Sequence, residues 1–265
     1  MRTTCSILAL LLLTGLAGQP NPAGFRFVVL GDRTGNADQA IYEQVWREVR
    51  AEHPAFVLNV GDTIQGGDDA TAQAEWDALR PVWSLPQYLP QYFTPGNHDI
   101  WSEASRKIYE RATKHPASYG FDFQGAHFTV LDNSGSLNLS DEQMRFLQAD
   151  LERNRARSPK FVSFHEPFWL LPLKFQSGEF PFHQLVKKYG VAAVFSGHGH
   201  QFVRLERDGI VYLEAGSSGA KLKGHGFAQG WFFGHSVVDV NGGSVRIAIR
   251  ETGPPFGEAR VFETR

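Results

Sequence analysis

Cysteine is almost missing from this sequence: of 265 residues one is Cys, at position 5, and two are Met. Thiolate metal sites and disulfides are therefore excluded from everything after Cys5. A basic tract is missing too. The formal net charge is -2, with 26 Lys and Arg against 28 Asp and Glu, so the composition indicates no nucleic-acid partner. Long apolar runs are absent. The most apolar segment, Ile7 to Leu13, falls well short of the roughly 20 residues a membrane-spanning helix needs. Low-complexity segments, fixed-period repeats and a convincing domain linker are also lacking. What is present, 42% hydrophobic and 20% charged residues, is the balance of an ordinary globular chain. The length fits one large domain more readily than two small ones.

The N-terminus reads as a signal peptide over residues 1–18. Met1-Arg2 gives a positive start, Ile7 to Leu13 an apolar run, and Thr14 to Gly18 a small-residue exit. The competing reading is a buried N-terminal helix. Residues 19–24, with two prolines and a glycine, form a lead-in, and 25–265 is expected to be one domain. Cleavage would remove Cys5 and leave no membrane span. The expected location is secreted or periplasmic, and the sequence leaves the oligomeric state open.

Strand-like and helix-like segments then alternate. Phe25 to Leu30 is an apolar, β-forming run ending at Gly31-Asp32, and Ile41, Val45, Trp46 and Val49 recur at helical spacing. Phe56 to Val60 ends at Gly61-Asp62. Ala72 to Leu79 reads as a helix stopped by Pro81, and Gln91 to Thr94 as a strand ending at Pro95-Gly96-Asn97-His98-Asp99. A helix over about 102–112 follows, then a hairpin of 118–123 and 126–131. Ser140 and Gln143 match the capping box that opens a helix. Phe161 to Phe164 ends at His165, and Val191 to Phe195 at Gly197-His198-Gly199-His200. From Val203 onward the chain reads mostly as strand. Helical crossovers predict a buried, largely parallel sheet, and the β-rich tail predicts a second sheet packed against it.

The chemistry lies where these strands stop. Asp32, Asp62, Asn97-His98-Asp99, His165 and His198/His200 each follow an apolar run, and in open α/β sheets the ligand crevice lies beyond the carboxyl ends of strands. Carboxylates and an amide oxygen suit Mn, Mg or Fe; imidazoles suit Zn, Fe or Mn. Three Asp/Asn and three His exceed what one tetrahedral ion needs. Two ions sharing a carboxylate would use them all, and such a pair can clamp the attacking and leaving oxygens of an in-line displacement at phosphorus. Taken singly, each Asp is as well explained as a turn or helix cap.

Gly31-Asp32, Gly61-Asp62, Gly96-Asn97-His98-Asp99, His165 and Gly197-His198-Gly199-His200, in that order, resemble the motif set of the calcineurin-like metallophosphoesterases, which include the purple acid phosphatases. The resemblance covers roughly Phe25 to Gly216. It implies an α/β fold in which a two-sheet β-sandwich is flanked by helices in four layers. It also implies a metal-dependent phosphoesterase that acts on a small phosphorylated substrate through a metal-activated hydroxide. By the family pattern two divalent ions, Mn, Fe or Zn, are held. Asp62 bridges them, Asp32 and His200 bind the first, and Asn97, His165 and His198 bind the second. His98 contacts the phosphoryl group or protonates the leaving oxygen, with Asp99 orienting its ring.

One position departs from the pattern. The first motif is usually Asp-x-His and here is Asp32-Arg33-Thr34, so the first ion loses an imidazole. In purple acid phosphatases a tyrosine three residues after the second-motif Asp supplies a ligand; the matching residue is Gln65, whose amide oxygen is a weaker donor. The first site is thus expected to be weak, filled out by Gln65 or solvent. Arg33 is either a phosphate contact or a structural arginine, Glu166 either supports a ligand or is a loop carboxylate, and Phe168 to Leu171 is either a pocket wall or core. The 215–219 turn is small enough to close over the site. His53, His115, His127, His183, His225 and His235 read as surface or satisfied histidines. A phosphomonoesterase is the leading reading; the alternatives are a phosphodiesterase and a non-catalytic metal- or ligand-binding module.

Overall fold

Alternation along the first strands sets the architecture. The computed structural model describes residues 24–84, 89–175 and 180–252, and the backbone of 260–264. The expected leader at 1–18 lies outside these residues, as does all of the lead-in except Gly24. Strand β1 (Phe25–Leu30) turns Phe25, Phe27 and Val29 to one side and Val28 and Leu30 to the other, and all five are buried. Strand β2 (Phe56–Asn59) repeats the pattern, Phe56 and Leu58 opposite Val57. A strand with no polar face needs cover on both sides.

Helices supply one cover. Between β1 and β2 runs α1 (Gln39–Ala51), capped by Asp38, whose side chain accepts from the Ile41 N–H. Helix α2 (Ala72–Ser84) leads to β3 (Gln91–Phe93), and α3 (Glu103–Thr113) follows. Pro81 does not stop α2 as expected; it lies inside, and the helix runs another turn. Tertiary contacts outweigh the lost N–H bond: Trp83 is buried, packs 5.5 Å from Phe93, and donates its indole N–H to the Tyr42 hydroxyl at 2.9 Å.

The other cover is a second sheet. Strands β4 (Tyr119–Phe123) and β5 (Ala126–Val130) form the expected hairpin. Then come α4 (Asp141–Arg153), β6 (Lys160–Ser163), α5 (Leu170–Phe175), α6 (Pro181–Lys188) and β7 (Val191–Ser196). The antiparallel pair β8 (Phe202–Arg207) and β9 (Ile210–Ala215) follows, then β10 (Gly234–Asn241), β11 (Ser244–Glu251) and β12 (Arg260–Thr264). Ser140 caps α4 as expected, but Gln143 does not complete the box; its side-chain oxygen accepts instead from Asp132 N and Ser118 Oγ.

The sheet orders are β12-β11-β10-β1-β2-β3 and β4-β5-β6-β7-β9-β8. The expectation that the tail from Val203 onward forms the second sheet holds for β8 and β9, which complete its edge, and is corrected for β10 to β12. Mid-chain strands β4 to β7 build the rest of that sheet, while β10 pairs antiparallel with β1 and extends the first sheet. The reason is edge satisfaction: β1 carries β2 on one side only, and a strand buried on both faces needs its other row of N–H and C=O groups paired. Between the sheets Phe27 meets Phe56 at 5.1 Å, Phe128 at 5.3 Å and Phe161 at 5.3 Å. Two further apolar clusters lie between each sheet and its helices. The layers are therefore α/β/β/α, the four-layer sandwich flanked by helices that was expected. No helix among the described residues is long and apolar enough to cross a membrane.

Candidate metal centre

Parallel pairing brings the carboxyl ends of β1, β2 and β3 together in one sheet, and those of β6 and β7 in the other. The candidate residues lie not along one sheet edge but where two edges meet. Asp32, Asp62 and Asn97 to Asp99 come from the first sheet, and His165, His198 and His200 from the second. A buried Thr94–Ser163 hydroxyl pair at 2.6 Å joins the edges behind them. The Asp32 and Asp62 loops are tied to each other: Asp32 N donates to Gly61 O at 3.0 Å and Arg33 N to Asp62 O at 3.1 Å.

Ligand atoms fall into two groups sharing one residue. Asp62, His165 and His198 form one, and Asp32, Asp62 and His200 the other, with the atoms of each within 4.8 Å of one another. Asn97 Oδ1 joins the first group, 3.1 Å from His198 Nδ1. Two rings are aimed by backbone carbonyls, which can only accept: His165 Nδ1 donates to Val60 O at 2.8 Å and His200 Nδ1 to Lys221 O at 3.0 Å. Each Nε2 is thereby left with its lone pair toward the cluster, the usual way a ligating imidazole is fixed. Glu166, buried, places Oε2 3.2 Å from His198 Nε2, which makes it a brace for that ring rather than a loop carboxylate.

Backbone and charge mark the same spot. Asp32, Asp62, His198 and His200 have φ of 50°, 57°, 81° and 60°. For residues with a Cβ this left-handed conformation costs about 1 kcal/mol or more each, and it concentrates at functional sites. Space is equally tight, since a Cβ on Gly96 would come within 2.3 Å of Asp62 Oδ1. Burial raises the Asp32 carboxyl above its usual range and Asp62 adds to this, against the pull of His165. Burial would raise Asp62 as well, but the His165 ring beside it holds it below the carboxylate range. His165 is driven up by Asp62 and Asp32 despite burial. Burial, then His165, lowers His198 to about 4, leaving a neutral ring. Asp32 Oδ2 and His165 Nε2 are buried without a hydrogen-bond partner. An unpaired Asp32 oxygen, two crowded carboxylates, the neutral His198 ring and a His165 ring that holds a proton against Asp62 at 3.3 Å make a set in which a divalent ion would take the place of that proton.

Several expected roles change. The Asp99 carboxylate accepts from the backbone N–H of Thr63, Ile64 and Gly96 at 2.9, 3.2 and 2.9 Å, so it holds the loops and does not orient His98. His98 Nδ1 instead donates to the Gln65 carbonyl at 2.6 Å. The Gln65 amide oxygen is occupied by the Thr34 hydroxyl at 2.7 Å and Gly35 N at 3.3 Å. Thr34, where the family pattern has His, is fully buried on this pair. Arg33 reaches Gln39 Oε1 at 3.0 Å and packs over Tyr42, a structural role. The 215–219 turn is no cover: Ser217 and Ser218 are buried and Ser218 N donates to Gly31 O, propping Asp32 from behind. Of the apolar segment after His165, Trp169 is buried in the core and Leu170 opens helix α5. His127 and His183 are satisfied by Asp150 and Tyr212, but both ring nitrogens of buried His235 lack a partner among the described residues.

Two residues escaped the sequence reading. Glu214 ends β9, which runs parallel to β7. It is buried, and burial followed by the nearby Asp32 pushes its carboxyl up to about 8. A Cβ on Gly199 would lie 2.0 Å from Glu214 Oε1, so the glycine between the two histidines makes room for this carboxyl. Lys223 is exposed, yet its charge reaches Asp32, Glu166, His198 and His200. Neither carries a motif; the only trace of Glu214 in the sequence is a carboxylate closing an apolar run.

A model of the calcineurin-like phosphoesterase family matches residues 25–202. Purple acid phosphatase 23 of Arabidopsis thaliana is 31% identical over 176 residues, 56% of this chain and 38% of that protein. The chain spans less than half the length of the curated relatives it matches. Among solved structures, GAP50, the anchor in the inner membrane complex of Plasmodium, aligns with a TM-score of 0.65 at 16% identity, covering 91% of this chain and 89% of that one. Purple acid phosphatase PPD1 from yellow lupin (Lupinus luteus) seeds aligns with a TM-score of 0.65 at 14% identity, covering 91% and 53%. At these identities the two structures share the fold.

Proposed function

The chain belongs to the calcineurin-like phosphoesterase family, and on that premise we propose that it is a metal-dependent phosphomonoesterase with a dinuclear centre. The observation that carries this reading is the Asp62 carboxylate, common to both ligand groups. Asp62, Asn97, His165 and His198 would hold one ion, and Asp32, Asp62 and His200 the other. When bound, such a pair neutralises phosphoryl charge and activates water near neutral pH. The phosphatase names of the curated relatives favour a monoester substrate. A leader at 1–18, with export to a secreted or periplasmic location, belongs to the same reading.

The protein's own groups supply positioning and a proton. The backbone N–H of His98 donates to Asp62 Oδ1 at 3.0 Å, so the residue is anchored to the shared carboxylate. Its Nδ1 proton is committed to the Gln65 carbonyl, which leaves Nε2 as the atom free to hold a proton for the leaving oxygen. Glu166 keeps the His198 ring from turning. His98→Ala is expected to lower turnover about 10²-fold or more while metal content is retained; unchanged turnover would remove His98 from the mechanism.

One observation favours a second reading. The place of the missing imidazole is filled by Thr34 bonded to Gln65, a weakened half-site that suits a non-catalytic binding module. Chelator-stripped protein reloaded with Mn, assayed on p-nitrophenyl phosphate and its bis-ester, separates the possibilities. Faster turnover of the monoester is expected. Preference for the bis-ester would make the protein a diesterase, and no hydrolysis of either with metal bound would make it a binding module.

A further inference from the structure

Three large hydrophobic side chains stand exposed among the described residues: Leu137 at 69%, Leu171 at 63% and Phe175 at 67%. They are not scattered, as surface apolar residues ordinarily are. All three line one groove of about 660 Å³, floored by Phe168 and Leu170, and the same groove reaches His198 and Glu166. Its wall is held rigidly. Trp169 is fully buried and donates its indole N–H to Ser196 Oγ at 3.2 Å, and Leu173 is buried in the core, while Leu171 and Phe175 of the same segment face out. Core packing explains the inner residues and leaves the outer ones without a structural reason. Among the described lining residues the one carboxylate is Glu166, and the nearest cation, Lys174, stands over the outer ring of Phe175 with Nζ 5.9 Å from its centroid.

We infer that this groove seats the leaving group of the substrate, and that the substrate class is an aryl phosphate monoester whose ring lies between Leu137, Leu171 and Phe175. The inference rests on the phosphoesterase reading above. Continuity carries it: a phosphoryl group at the metal centre has the apolar groove directly beyond His198, and its volume accommodates a one- or two-ring aromatic body. In the reaction water adds to phosphorus, the phosphorus–oxygen bond to the ring breaks, and a proton passes to the departing oxygen, giving an arenol and inorganic phosphate.

The test compares 1-naphthyl phosphate with glycerol 2-phosphate on the metal-loaded wild type and on the triple variant Leu137→Ser, Leu171→Ser, Phe175→Ser. These side chains are exposed, and equal melting temperatures would show that the fold is kept. The ratio of kcat/KM for the naphthyl ester to that for the glycerol ester should fall at least about tenfold in the variant, with the glycerol value unchanged. An unchanged ratio overturns the inference while leaving the phosphoesterase reading intact, and would assign the patch to a protein or bilayer contact. If the wild type hydrolyses neither ester, the phosphoesterase reading fails, and binding decides the groove. Naphthyl fluorescence should report about tenfold weaker 1-naphthyl phosphate binding by the variant, with inorganic phosphate affinity unchanged. Equal naphthyl phosphate affinity overturns it.

Discussion

Asp62 faces two ligand groups that share a carboxylate and differ in almost everything else. On one side stand His165 and His198 with Asn97, one ring pinned by the Val60 carbonyl and the other braced by Glu166. On the other side stand Asp32 and His200, and the position from which a further imidazole would reach in carries Thr34, turned away to Gln65. The first group is rich in nitrogen donors and doubly supported. The second is mostly carboxylate, with one ring held by Lys221 O and 3.9 Å from Asp32. Such a set suits a harder, more weakly held ion. The two groups share Asp62 and the turn after β7 that carries His198 and His200, and they differ in what completes them: Asp32 after β1 on one side, Asn97 after β3 and His165 after β6 on the other.

The largest effect expected is on the residue common to both. Asp62→Ala removes the shared carboxylate and leaves His165 without its counter-charge. Loss of a group that merely supports a ligand costs about 10–100-fold in metal affinity, so loss of this one should cost more than about 100-fold for both ions and abolish turnover. Elemental analysis after gel filtration checks it; loss of a single ion would show that the halves do not share Asp62. A smaller effect is expected from repairing the weak half. Thr34→His combined with Gln65→Ala, which clears the space the amide fills, should tighten the first ion about tenfold, about 1.4 kcal/mol, and leave the second unchanged. Calorimetric titration reads both steps, and tightening of the second ion would break the comparison.

A third prediction supplies a control remote from either half. His235 is buried with both ring nitrogens unpaired, and burial, then Arg250, lowers it to about 3. Its folded pKa lies below the ordinary value near 6.5, so the unfolded chain binds the extra proton. The stabilisation is complete above about pH 6.5 and is lost as pH falls toward about 3, by up to about 1.4 kcal/mol per pH unit. His235→Leu should flatten that part of a urea-denaturation pH profile by one proton without altering metal content. A profile as steep as that of the wild type would show that His235 is not the group responsible.

What the sequence revealed and what it hid follow from the same physics. The candidate residues that converge were legible because each follows a short apolar run, and all but His165 a glycine as well, a local signal that survives without knowing which strands pair. Asp99 misled because a carboxylate next to a histidine in sequence can be satisfied by backbone N–H groups from another loop, here Thr63 and Ile64. Gln65 misled because spacing gives position and not the hydrogen bond that occupies the oxygen. Glu214 and the joining of β10 to β1 were hidden because both depend on long-range pairing, Val28 with Val237 and Ser196 with Glu214, which no local pattern encodes. Pro81 inside α2 shows a tertiary contact, Trp83 on Tyr42, overriding a strong local breaker.

The unequal halves are tested most directly by a metal-binding isotherm on chelator-stripped protein titrated with Mn. Two ions per chain are expected, with dissociation constants at least about tenfold apart and the weaker one lost in His200→Ala. Two equally tight ions would contradict this.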